Sequence, residues 1–207
     1  MIPIIDYGMG NLRSVQKAFE KVGVQATICR SPSQLANAES AVLPGVGAFR
    51  DAASELNRQG FSEVIRDHVS AGKPLLGICL GLQLLFDVSE EDGEHAGLGL
   101  IPGRVVRFAS QPGLKIPHMG WNTVERTDTP CPALDGIGPS PHVYFVHSYH
   151  VVPNDPAVAV LTSDHGGRFV AAVQHGSIFA TQFHPEKSQA VGQQMLRNFA
   201  ERIAVAS

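Results

Sequence analysis

The segment Gly77-Ile78-Cys79-Leu80-Gly81 constrains this chain more than any other. It follows the apolar run Pro74-Leu75-Leu76 and opens into Leu82-Gln83-Leu84-Leu85-Phe86. The pattern predicts a strand, a sharp turn and a helix, with a cysteine at the apex. Glycine tolerates backbone conformations that side chains block. A nucleophile between two glycines at such a turn is lifted clear of the sheet edge.

The first half of the chain extends this pattern. Residues 2–5 predict a buried parallel strand. Asp6-Tyr7-Gly8-Met9-Gly10-Asn11 is a Gly-rich loop, with Asn11 placed to cap the next helix. Leu12, Val15, Phe19 and Val22 share one helical face, and Gly23 stops that helix. A strand at 24–29, a short helix at 33–38 and a strand at 41–43 follow, the last broken by Pro44-Gly45-Val46-Gly47. Helices at 49–56 and 61–71 precede the strand at 74–78 that delivers Cys79. Strands and helices alternating at this spacing predict an α/β fold, a mostly parallel central sheet with helices on both faces.

Beyond about residue 97 the texture becomes strand-rich, with strands expected at 105–108, 143–152, 158–161, 169–174 and 177–183. An antiparallel extension of the sheet in the C-terminal half follows from that. Four prolines make 127–141 a loop, and Val191, Met195, Phe199 and Ile203 place an amphipathic helix at the end. No repeat or linker interrupts the chain, so a single domain over 1–207 is expected.

Composition narrows the function classes. Of the 207 residues 43% are hydrophobic and 17% charged, with a net charge of -3. No basic tract suggests nucleic acid. No apolar stretch reaches the ~18 residues a membrane span needs, and the N-terminus lacks a signal peptide's charged region. Three cysteines without framework spacing point to a cytoplasmic protein with free thiols.

His184-Pro185-Glu186 offers a base and a carboxylate to go with Cys79. Pro185 biases His184 toward extended backbone, where residues two apart share a side. Glu186 then orients His184, and His184 faces Cys79, an arrangement of nucleophile, base and orienting acid suited to hydrolysis or acyl transfer. The Leu80 N–H points where an oxyanion would develop, and the loop at Gly45, Val46 and Gly47, leaving another strand, supplies a second donor. Cys29 and Cys131 are better read as buried hydrophobes. Metal binding is the chemical rival, because His142, His147 and His150 lie close in sequence. His147 falls on the opposite strand face from the other two, and neither C-x-x-C nor H-E-x-x-H occurs, so no metal is expected. The glycines of residues 6–11 lack the lysine and spacing of a phosphate loop, and no cofactor is expected.

Several blocks resemble a known family. Gly-Ile-Cys-Leu-Gly-Leu-Gln at 77–83, Pro-Gly-Val-Gly-Ala-Phe at 44–49 and His-Pro-Glu-Lys-Ser at 184–188 resemble the triad-type, class I glutamine amidotransferases. The blocks at 6–15, 117–122 and 144–149 resemble the glutaminase subunits of imidazole glycerol phosphate synthases. The resemblance implies hydrolysis of L-glutamine, with ammonia delivered to a separate cyclase subunit, a (β/α)₈ barrel, in histidine biosynthesis. It makes Cys79, His184 and Glu186 the triad and the backbone around Val46, Gly47 and Leu80 the oxyanion hole, with Gly45 in the same substrate-binding loop. Gln83 would hold the amino-acid end of the substrate, Glu91 its ammonium, and Ser148 and Tyr149 would contribute backbone contacts. Asn11, Trp121, Tyr144 and Lys187 correspond to the cyclase interface. The glycine loop beside those residues suggests that the free subunit is poorly set for catalysis until its partner resets it. Two alternatives remain: a glutaminase serving another ammonia-using synthase, and a non-catalytic regulatory subunit of the same fold.

Overall fold

A computed structural model describes residues 1–203. Its first half alternates β1 (Ile2–Ile5), α1 (Leu12–Lys21), β2 (Ala26–Cys29), α2 (Pro32–Ala36), β3 (Ala41–Gly45), α3 (Phe49–Arg58), α4 (Phe61–Ser70), β4 (Leu75–Cys79) and α5 (Leu80–Leu84). Strands then dominate: β5 (Phe86–Ser89), β6 (His95–Ala96), β7 (Ile101–Arg107), β8 (His118–Thr123), β9 (Glu125–Arg126), β10 (His142–His147), β11 (Tyr149–Pro153), β12 (Ala159–Asp164), β13 (Arg168–His175) and β14 (Ile178–Thr181). Helix α6 (Gln189–Asn198) follows, continued by a π-helical turn at Phe199–Ile203.

The main sheet has eight strands in the order β2-β1-β3-β4-β14-β13-β12-β9. The first five run parallel, and β13, β12 and β9 add on antiparallel. Alternation along each strand sends side chains to opposite faces. Ile4, Val42, Leu76 and Ile78 pack with Val15 and Phe19 of α1 and Met195 and Leu196 of α6. Ile5, Leu43 and Leu75 pack on the other face with Phe49, Leu56, Phe61 and Ile65 of α3 and α4. Burying each such side chain contributes about 1.5–3 kcal/mol, so the buried strands secure both helical layers.

Two smaller sheets complete the fold, the antiparallel pair β8–β10 and the four-stranded β11-β7-β5-β6. The single strand expected at 143–152 is therefore two strands in different sheets, divided at Ser148. The first covers its inner face with Val143 and Phe145, while β11 pairs with β7. An unbroken apolar run cannot report that change of partner. Strand β3 runs through Pro44 to Gly45 instead of stopping at 43. Asn11 takes the N-cap position of α1, but only its backbone carbonyl serves there; its side chain makes no cap hydrogen bond. The side chain of Ile203 lies outside the described residues.

One close approach sets the geometry of the nucleophile turn. A methyl group at Gly81 would overlap the Leu43 carbonyl oxygen of β3. Gly81→Ala must push α5 away from the sheet, and a cost of about 2 kcal/mol or more is expected from overpacking alone. Urea unfolding of the variant beside the parent chain measures it.

Candidate active site

Strands β3, β4 and β14 are neighbours, and their carboxyl ends finish together, Gly45 opposite Cys79 and Thr181 opposite Ile78. In open α/β sheets ligands bind at that edge. A cavity of about 300 Å³ opens there. Cys79, at its floor, has φ 57° and ψ -110°. This is one of three positive-φ positions outside glycine among the described residues. Such backbone costs on the order of 1–3 kcal/mol and is held only where its surroundings determine it.

His184 leaves β14 on the same edge. Its Nδ1 lies 2.8 Å from Glu186 Oε1, with both side chains almost wholly buried at 2% and 1% exposure. His184 is extended, as Pro185 predicts, with φ -99° and ψ 99°, but Glu186 reaches the ring from a 3-10 turn at Pro185–Lys187 and not from continued extended chain. His184 Nε2 has no hydrogen-bond partner and remains for Cys79 or a substrate. Burial disfavours the charged ring, but the Cys79 sulfur and the Glu186 carboxylate outweigh it and raise the His184 pKa. The Tyr7 hydroxyl donates to the Pro44 carbonyl at 3.0 Å, and burial and the Cys79 sulfur push it up, so it stays protonated.

Val46, Gly47, Leu80 and His184 line the cavity with Cys79. Gly47 holds φ 98°, a conformation open to glycine. Gly45 does not line the cavity; it packs beneath the Tyr7 hydroxyl and Leu80 Cβ, both within 2.9 Å of where a methyl group would stand. Gln83, Glu91, Ser148 and Tyr149 form the rest of the expected wall. Glu91 Oε2 accepts from the Phe49 N–H at 2.7 Å, at the first turn of α3, so one carboxylate oxygen serves the helix end. Gln83 Nε2 donates to the Tyr149 carbonyl and to Gln182 Oε1, both at 3.0 Å. Its amide nitrogen is thereby engaged, leaving the carbonyl to face a ligand.

Sequence reasoning missed Pro117, Val146 and His147 of this wall, and Gln182 behind it. Gln182 stands two residues before His184, and the side-sharing of alternate residues was the signal available. His147 Nδ1 donates to the Tyr149 carbonyl at 2.8 Å, and its Nε2 lies 3.0 Å from His118 Nδ1. His118 also stacks on His165, ring centroids 4.2 Å apart. Burial, with the neighbouring histidines, pushes His147 down to about 3, against the pull of the Tyr149 carbonyl. Burial and His165 push His118 down to about 4. The cluster works as neutral hydrogen-bonding rings. Among the described residues no three His, Cys, Asp or Glu side chains come together as metal ligands.

The four residues assigned to a partner surface lie at or near the surface. Asn11 and Lys187 are exposed, Tyr144 is half-buried, and Trp121 and Met119 on β8 are 47% and 67% exposed. Trp121 meets Tyr144 edge-on, centroids 6.1 Å apart, and Lys187 Nζ sits 5.7 Å over the Tyr144 ring. Strand β10, which carries Tyr144, is also tied to the histidine: His184 N–H donates to the Tyr144 carbonyl at 3.0 Å.

The sequence and the fold place the chain among known proteins. The family model described as glutamine amidotransferase class-I matches residues 3–203. The chain is 56% identical to "Imidazole glycerol phosphate synthase subunit HisH" of Syntrophotalea carbinolica, covering 97% of this chain and 100% of that protein. It is 54% identical to the protein of the same name from Rhodopirellula baltica, covering 97% of each. Among solved structures, "Crystal structure of glutamine amidotransferase" superposes with TM-score 0.76 at 22% identity, covering 98% of both chains. The "Structure of PurLQS from Thermotoga maritima" gives TM-score 0.72 at 22% identity over 96% of this chain and 95% of that one. At those identities the two structures speak for the fold.

The buried pair His118 and His147 makes stability depend on pH. In the unfolded chain they titrate near the ordinary value of about 6.5. Their folded values lie below it, so the unfolded state binds more protons between about 4 and 6.5 and stability falls as pH falls through that window. The expected slope is up to about 1.4 kcal/mol per pH unit for each ring. Denaturant unfolding from pH 7 to 5 should show a shallower dependence in His147→Gln than in the parent.

Proposed function

Because the chain belongs to the class-I glutamine amidotransferase family, we propose that it hydrolyses L-glutamine to glutamate and ammonia as the glutaminase subunit of an imidazole glycerol phosphate synthase. The ammonia feeds a separate cyclase in histidine biosynthesis. The observation that carries this reading is Cys79 at the strand-to-helix apex facing the buried His184–Glu186 pair, in a chain 56% identical end to end to a HisH subunit.

In this reading the Cys79 thiolate attacks the side-chain amide carbon of glutamine. His184 Nε2 protonates the nitrogen as the C–N bond breaks, and ammonia leaves behind a glutamyl thioester. A water then gives its proton to His184 and adds to the thioester, releasing glutamate and restoring the thiolate. Glu186 keeps the proton on Nδ1 and so holds Nε2 toward the chemistry. The Leu80 N–H, the first amide of α5, and the backbone at Val46 and Gly47 serve the oxyanion. The free carbonyl of Gln83 and the unshared oxygen of Glu91 are acceptors suited to an α-ammonium.

The partner is a (β/α)₈ barrel cyclase docking on the face formed by Asn11, Trp121, Tyr144 and Lys187. An exposed tryptophan packed on a tyrosine is the composition of an interface hot spot, and the link from the Tyr144 carbonyl to the His184 N–H brings that face next to the triad. The cytoplasm is the compartment that suits three free cysteines.

A glutamate-release assay tests the assignment. Cys79→Ala should lower kcat by about a thousandfold or more, and Glu186→Gln by about a hundredfold or more, with KM little changed. The isolated chain should hydrolyse glutamine more slowly than the complex with its cyclase occupied by ligand. Equal rates would refute control by the partner.

A further inference from the structure

A run of hydrogen bonds crosses the interior from β8 to the nucleophile, and each step has one possible direction. The Asn122 Oδ1 accepts from the Thr123 N–H and its Nδ2 donates to the Asp164 carbonyl, so the amide nitrogen faces His118 Nε2 at 3.1 Å. His118 Nε2 therefore accepts and its Nδ1 donates to His147 Nε2. His147 Nδ1 donates to the Tyr149 carbonyl, which can only accept. That carbonyl takes a second hydrogen from Gln83 Nε2, whose other hydrogen goes to Gln182 Oε1. The last amide is thereby oriented, with its nitrogen toward Cys79 Sγ at 3.8 Å.

We propose that Gln182 is a further catalytic residue of this site, its side-chain N–H donating to the Cys79 sulfur and stabilising the thiolate. The inference rests on the reading of Cys79 as nucleophile. Gln182 is 0% exposed, so no water competes for the amide. A hydrogen bond to an ionised acceptor in such surroundings is stronger than one between neutral groups. The bond is maintained through the cycle: it favours the thiolate over the thiol before attack, and favours sulfur as leaving group when the thioester is hydrolysed. The other titratable groups around the sulfur are Tyr7 after β1, His184 with Glu186 behind it after β14, and Glu91, Tyr149 and His147 across the cavity, the last held neutral by burial. His184 alone can supply positive charge, which leaves Gln182 as the neutral donor that assists it.

The test is the pH dependence of Cys79 alkylation by iodoacetamide in the full chain with its cyclase, the labelled cysteine located by mass spectrometry. Gln182→Glu keeps an acceptor for Gln83 and replaces the donor at sulfur by an oxygen. Gln182→Met removes both polar atoms at similar volume and serves where the buried carboxyl prevents folding. In each variant the midpoint should move upward by about one pH unit. At neutral pH kcat should fall about tenfold with KM little changed. A midpoint equal to the parent's in a folded variant would make Gln182 a structural amide only and overturn the proposal. Glutaminase activity surviving in Cys79→Ala would instead overturn the nucleophile reading itself, and this inference with it.

Discussion

Helix α5 can begin at the sheet edge because Gly81 puts no side chain between its first turn and the Leu43 carbonyl of β3. That contact sets how far Cys79 stands above the sheet and where the Leu80 amide points. Gly45, opposite Cys79 in the β3–β4 register, lets the neighbouring loop close over the same spot. The backbone of Cys79 holds positive φ at this same turn. Parallel pairing of β4 with β3 on one side and β14 on the other then brings the glycine loop and His184 to the cysteine without any long connection. The candidate site is a product of three adjacent strands ending together.

The strands and helices of the first half were legible because each carries one period at a time. The apolar run of β1 and the face of Val15 and Phe19 in α1 are separated by glycine-rich turns. Cys79, His184 and Glu186 were legible because each stands inside a short pattern with unusual residues on both sides. The break at Ser148 was not, because residues 143–152 look equally strand-like on either side of it. What differs is the partner strand, and that information lies elsewhere in the chain. Gln182 and His147 escaped for a related reason: their roles come from contacts with residues 103 and 29 positions away. The 3-10 turn that carries Glu186 to His184 looks, in sequence, like an extended tripeptide.

The interior behind the cavity is polar, yet it is ordered by rules an apolar core does not need. Phe108, Phe145 and Phe169 surround His118 and His147 with edge, tilted and stacked ring contacts. Each imidazole supplies one donor and one acceptor only while neutral. Low dielectric makes an unpaired group costly and a paired one directional. The wall that Tyr149 and Gln83 present to a ligand therefore has a polarity fixed by His147 within it and His118 behind it.

Strand β10 carries Tyr144 outward and His147 inward, three residues apart on one backbone, and β8 does the same with Trp121 and His118. A change that alters the outer aromatic face shifts the strands holding the inner histidines. In the docking proposed above, the two surfaces cannot change independently: residues that fit the outer face to a cyclase also set the shape of the cavity behind it. A chain of this kind paired with a distant lineage's cyclase should need compensating changes in its own interior before it needs any at Cys79, His184 or Glu186.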